Sequence, residues 1–285
     1  MLIRAGYDIA FETDQDVPVV ALLNVRPERE ADLLTPDRLK VEPQVPIEHF
    51  NDHFGNRATR FVIPKGGITI RNDFVIEDSG KSDPVVTDAQ QHLIKDLPPE
   101  TLIYLMSSRY CEVSLLTNEA WEIARSTAPG WARVQALVDA AHDRLSFDYM
   151  KADDQRTARM AFIERYGVCR DFAHLAITLC RAVNIPARYC TGYLGDIGID
   201  PIDAPMDFSA WFEVYLGGRW YALDARHNRP RIGRITMARG RDATDAAITT
   251  AFGNAKLIEF KVHTDEVASA DISQPPAETA LPQGA

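Results

Sequence analysis

The stretch YGVCRDFAHLAITLCRAVNIPARYCTGYL, from Tyr166 to Leu194, opens with a cysteine whose position decides how the whole chain is read. Gly167 and Val168 precede Cys169, and CRDFAHLAITLCRAV has the apolar spacing of a helix that Cys169 begins. A sulfur in the first helical turn meets free backbone N–H groups and the positive end of the helix dipole, which favours the thiolate. A lowered thiol pKa is what a cysteine nucleophile requires. At about 100° per residue, Phe172, Leu175, Ala176, Leu179, Cys180 and Val183 form one apolar face, with Cys169 on its margin. Arg170, His174, Thr178 and Arg181 fall opposite, so His174 is expected at the surface. Cys180 and Cys190 read as core. The competing reading of Cys169 is that of one more buried small hydrophobe.

Downstream, ARYCTGYL reads as a strand and SAWFEVYLGGRWYALDA as a hairpin turning at Gly217-Gly218. A two-residue turn there sets Leu216 against Arg219, Trp211 against Asp224 and Ser209 against Arg226. Upstream, GWARVQALVDAAHDRLSF places Val134, Leu137, Val138, Ala141 and Leu145 on one helical stripe. TNEAWEIARS, with Thr117 as a plausible cap, and TARMAFIERYG, stopped by Gly167, are shorter helices. Before about residue 100 the period is two: VPVVALLNV, FGNRATRFVIP and GGITIRNDFVIED read as strands joined by turns. The expected organisation is an antiparallel β-rich domain over 1–100, a helix-and-sheet core over 101–263, and a tail over 264–285. That tail contains four acidic residues, no basic ones and three prolines, so it is expected to be mobile.

GVCRDFAHLAITLCRAVNIPARYCTGYL followed by DFSAWFEVYLGGRWYALDARHN resembles the bacterial transglutaminase-like superfamily, whose core is that of the papain-like cysteine hydrolases. FGNRATRFVIP is similar to the β-rich unit that precedes the core in many bacterial members. The resemblance implies an α+β fold: an N-terminal antiparallel β domain, then a core whose nucleophile-bearing helix packs on an antiparallel sheet. It also implies a nucleophilic cysteine at the helix start, a histidine base at the head of the AW strand, and an aspartate on the next strand to orient the histidine. Cys169 matches the first and Asp224 the third. Ser209 occupies the histidine position, and a serine hydroxyl cannot act as a base near neutral pH.

His227, in DARHN, is the candidate replacement. On a regular strand it would face away from Asp224, and a bulge or strand end at Ala225-Arg226 would reverse that parity. Two functions therefore stand open. One is a cysteine hydrolase that forms an acyl-thioester on Cys169 from a peptide or small amide, with Asp224, His227 and Ser209 at the centre. The other is an inactive or weakly active interaction module that retains the scaffold. For the enzyme, Trp211, Tyr166, Arg226 and Arg229 are the candidate substrate-binding residues. The arginine-rich stretch RHNRPRIGRITMARGR, otherwise a solvated loop balanced by nearby acids, would favour carboxylate-bearing substrates.

A net charge of −10 argues against nucleic acid as a partner. No apolar run is long enough to span a membrane. The four cysteines contain no CxxC pair, so neither a zinc site nor a disulfide framework is expected, and no cofactor is implied. The acidic residues in MLIRAGYDIAFETDQD are unlike a secretory signal, and a cytoplasmic location is the expectation.

Overall fold

The computed structural model describes residues 1–200 and 206–272. Six strands open the chain: β1 (Leu2–Glu12), β2 (Val17–Ala21), β3 (Lys40–Glu42), β4 (Glu48–Asn51), β5 (Arg57–Ile63) and β6 (Ile68–Glu77). Alternation sets their faces. In β6, Ile68, Ile70, Phe74 and Ile76 point to one side and are buried, as a period of two requires.

The helical part follows with α1 (Thr117–Ala124) and α2 (Trp131–Arg144), then the short β7 (Ser146–Phe147), α3 (Ala158–Glu164), β8 (Tyr166–Gly167) and α4 (Cys169–Ala182). The remaining strands are β9 (Ala187–Tyr193), β10 (Ser209–Leu216), β11 (Arg219–Leu223), β12 (Ile235–Gly240), β13 (Thr249–Ala251) and β14 (Lys256–Val267). The architecture is α+β. The helix α4 lies against β10 and β9 of an antiparallel sheet ordered β11-β10-β9-β12. Two further sheets, β14-β1-β6-β3 and β13-β2-β5-β4, enclose a second core, which also takes in Tyr193, Ile235 and Met237.

The β10–β11 hairpin has the expected register from Leu216↔Arg219 to Phe212↔Leu223, but the expected pairs Trp211–Asp224 and Ser209–Arg226 do not form, because β11 ends at Leu223 and the chain turns. Gly217 and Gly218 have φ of 54° and 86°, the left-handed pair that a tight hairpin turn of this hand demands. The stripe Val134, Leu137, Val138, Ala141 and Leu145 is buried throughout.

Five further expectations need correction. The polar side of α4 is not at the surface: His174, Thr178 and Arg181 are all buried, because the segment before α1 and the loop after β12 cover that side. Arg181 survives there by donating to the carbonyls of Ala187, Met106 and Arg241. The arginine-rich stretch is not a loop throughout, since Ile235–Gly240 is strand β12, paired with β9. The chain from 264 to 267 is not tail: it completes β14, which pairs with β1 from Glu12↔Lys256 to Leu2↔Val267, so the end of the core placed at 263 falls inside a strand of the N-terminal sheet. The expected tail from 273 onward lies outside the described residues. At the helix ends, Thr117 lies inside α1 with its hydroxyl on the Val113 carbonyl, and α3 stops at left-handed Arg165 rather than at Gly167.

Candidate functional site

Asp171, the third residue of α4, accepts the Val168 N–H at 2.9 Å through Oδ2 and so caps the helix start that carries Cys169. The carboxylate packs on Gly167, where a Cβ would lie 2.6 Å from the Asp171 Cβ. Behind it, Arg156 donates to Asp171 at 3.3 Å and to Glu164 at 2.9 Å. The motif GVCRD is thus a geometric unit: glycine admits the aspartate, the aspartate caps the turn, and the turn presents the sulfur.

Cys169 is half-buried, whereas Cys111, Cys180 and Cys190 are buried. Across from it, the backbone N–H of Ala210 at the head of β10 donates to Sγ. Burial pushes the Cys169 thiol up to about 11; Arg226 and the Ala210 N–H act against that shift, and Asp207 and Asp224 reinforce it. The thiolate expected from the helix terminus is therefore not the resting form. Desolvation outweighs the helix end, and the proton must be taken by a base.

The strand β11 ends at Leu223, and residues 224–228 form a turn closed by Asn228 N–H on the Asp224 carbonyl at 2.8 Å, with Asn228 at φ 47°. Asp224 Oδ1 accepts the N–H groups of Arg226 and His227, both at 3.0 Å. The turn brings the His227 imidazole back onto the same carboxylate, with Nδ1 3.0 Å from Oδ2. Nε2 of His227 is buried and has no hydrogen-bond partner. Asp224 also receives Arg234 at 3.3 Å, and Arg234 is itself held by Asp83 and lies 4.9 Å over the Trp211 ring. Burial alone would raise the Asp224 carboxyl; the His227 hydrogen bond and the Arg234 charge instead hold it well below the usual carboxylate range. An ionised Asp224 fixes Nδ1 as the donor and leaves Nε2 free to accept a proton.

The other sequence candidates separate. Ser209 begins β10 opposite Gly192, next to the Ala210 N–H that meets Sγ. Arg226 stands over the Phe147 ring, its Cζ 3.8 Å from the centroid. Trp211 is buried beneath the Arg234 guanidinium. Tyr166 lies under two cations, Lys151 at 4.1 Å and Arg156 at 4.8 Å. Arg229 is exposed and lines a cleft with Trp131, Gln135 and Pro230 that also reaches Asp224 and Asp83. His49 and His53 are four residues apart, but they lie on β4 and the turn after it, with His49 Nδ1 3.0 Å from Thr59 Oγ1. Among the described residues, no helix is long and apolar enough to cross a membrane.

Sequence reasoning missed Arg234, Asp83, the Ala210 N–H, Asp207 and Tyr149. Tyr149 donates to Asp207, and both act electrostatically with Cys169. Nothing in the chain order marks Asp83, which is 151 residues from Arg234. The Asp-x-x-His spacing of DARHN was the available signal for the Asp224 turn, since aspartate side chains readily cap the N–H groups that follow them.

A family model described as the transglutaminase-like superfamily matches residues 119–225. The crystal structure of a candidate cysteine protease from Cytophaga hutchinsonii is similar over 94% of this chain and 91% of its own, with a TM-score of 0.80 at 29% identity. An uncharacterized protein of Mycobacterium leprae is 26% identical over 222 residues, 74% of this chain and 77% of that one. One of Mycobacterium tuberculosis is 28% identical over 233 residues, 73% of each.

Proposed function

The chain belongs to the transglutaminase-like superfamily, and from that premise we propose that it is a cysteine hydrolase of amide bonds in which His227 replaces the histidine absent at Ser209. The observation that carries this reading is the Asp224–His227 pair: Nδ1 is bonded to an ionised carboxylate, and Nε2 is buried and unpartnered. General-base contacts often tighten only when substrate is bound, so the open Nε2 suits a resting enzyme.

In the reaction, Sγ attacks the amide carbonyl carbon while Nε2 takes the thiol proton. The C–N bond breaks, the amine leaves with that proton, and an acyl-thioester remains on Cys169. The Ala210 N–H on Sγ and the first N–H groups of α4 are the donors beside the developing oxyanion. Water then gives a proton to His227 and attacks the thioester. The C–S bond breaks, releasing the carboxylic acid and restoring the thiol.

p-Nitrophenyl acetate is the first probe. A burst of nitrophenolate equal to the enzyme concentration is expected, with acetate found on Cys169 by mass spectrometry. Cys169→Ala removes the burst, and His227→Ala slows it about 10²–10⁴-fold. A burst unchanged in His227→Ala would exclude that histidine as the base. A second reading, a module without catalysis, is favoured by Ser209 and the raised thiol; it predicts no burst in the natural protein.

A further inference from the structure

The arginines between 226 and 241 are not equivalent. Arg231 donates to the Gly195 carbonyl, Arg234 bridges Asp83 and Asp224, Arg239 meets Glu28 and Glu213, and Arg241 meets Asp245. Each is committed to the fold. Arg226 and Arg229 make no ion pair among the described residues; Arg229 is exposed, whereas the Arg226 guanidinium lies against a ring. Stacking occupies one face of the guanidinium and leaves the N–H groups around its edge available, in the fork that matches a carboxylate.

The location of Arg226 is fixed from both sides. Its own N–H is held by Asp224 at 3.0 Å, and the carbonyl of the preceding Ala225 lies 3.0 Å from His142 Nδ1. Phe147, under the guanidinium, is in register with Gly167, two residues before the nucleophile. The cation therefore stands beside the strand that delivers Cys169, on a backbone held by hydrogen bonds, so little ordering remains to be done on binding. Asp207, bonded to Tyr149, is the other charged group that acts on the Cys169 thiol from outside the Asp224 turn, and it would repel an anion. Arg226 also acts on Asp207, lowering its carboxyl against the effect of burial, so the two charges face one another across the site and only the cation accepts a carboxylate.

Resting on the reading of Cys169 as nucleophile, we propose that Arg226 is the residue that recognises substrate, and that the preferred acyl donors are amides or peptides bearing a carboxylate close to the scissile bond.

Two alkylating reagents of nearly the same shape and opposite character test this. Iodoacetate carries the carboxylate and iodoacetamide does not, and both consume the same thiolate, so their rate ratio at Cys169 cancels any effect of Arg226 on the thiol itself. The ratio is normalised to that of 2-mercaptoethanol, and modification is read by peptide mass spectrometry. In the natural protein the normalised ratio is expected to exceed one. It should fall roughly tenfold in Arg226→Gln and be largely kept in Arg226→Lys, as an ion pair near a protein surface predicts. If Arg226→Gln does not fold, the natural protein still decides, because salt at about 1 M must collapse the ratio. A ratio indifferent to Arg226→Gln or to salt would overturn the proposal while leaving Cys169 as nucleophile. Failure of both reagents to modify Cys169 would overturn the nucleophile reading, and this proposal with it.

Discussion

His174 and His227 are both buried at one ring nitrogen without a partner, and both lie near an aspartate, yet their settings differ in every respect that matters for chemistry. His174 sits on the same helix as Cys169, stacked on Tyr110 at 4.9 Å and beside Tyr189 at 5.1 Å. Its Nε2 accepts the Ala243 N–H at 3.1 Å, so that nitrogen is already occupied as an acceptor. Burial pushes its proton affinity well below the usual histidine range, and the charge of Asp242 only partly opposes this. His227 is distant from Cys169 in sequence but is bonded directly to an ionised carboxylate and keeps its acceptor nitrogen free. Proximity along a helix is thus a poor guide to a base; an oriented tautomer with an open nitrogen is a better one.

The sharpest way to break this contrast is Asp224→Asn. The amide can keep the turn by accepting the Arg226 and His227 N–H groups, but it no longer fixes Nδ1 as the donor. Acylation by p-nitrophenyl acetate should fall about 10³–10⁴-fold while the fold persists, following the loss seen when the orienting aspartate of a serine triad is neutralised. A loss no larger than twofold would mean that the Asp224–His227 pair serves the fold alone.

The second prediction concerns His174. The unfolded chain protonates this histidine below about pH 6.5 and the folded chain resists doing so, hence the unfolded state binds more protons and stability falls as pH falls. Between pH 6.5 and pH 5 the loss amounts to about 1.6 kcal/mol, because the unfolded histidine is half protonated at pH 6.5 and the slope reaches about 1.4 kcal/mol per unit only below that. In His174→Phe the stack on Tyr110 can be retained and this titration disappears. Urea unfolding at both pH values should show a shallower acid slope for the variant, even if it is less stable at pH 7 because the Ala243 N–H loses its acceptor. Parallel slopes would remove His174 as a source of acid sensitivity.

What the sequence made legible follows from the range of the interactions involved. The Gly217-Gly218 hairpin, the α2 stripe and the helix beginning at Cys169 are local patterns, and each appears where the residues place it. The burial of His174, Thr178 and Arg181 was not legible, because the groups that satisfy Arg181 come from Met106 and Arg241, distant in the chain. Strand β12 was hidden for a related reason. Its charged member, Arg239, is neutralised by Glu28 and Glu213 from two other parts of the chain, so charge in the sequence did not mean exposure in the fold. For the site, Cys169 and Asp224 were readable from the family pattern. Whether His227 could meet Asp224 depended on where β11 stopped, and a difference of one residue would have reversed its face.

Ser209→His probes the contrast most finely, because it restores a histidine at the position the resemblance assigns to the base. Ser209 begins β10 beside the Ala210 N–H that meets Sγ, so an imidazole there would be carried toward the cysteine by a strand, whereas His227 is held on Asp224 by a turn. An imidazolium next to Sγ stabilises the thiolate against the burial that raises the thiol to about 11. The midpoint of iodoacetamide alkylation against pH should therefore drop by roughly one unit, tenfold in thiolate at neutral pH. The buried Cys111, Cys180 and Cys190 serve as internal controls. If the drop occurs and persists in the Ser209→His, His227→Ala double variant, the two positions act independently on the sulfur. If it vanishes in the double variant, the new histidine works only through His227, and the turn rather than the strand governs the thiol.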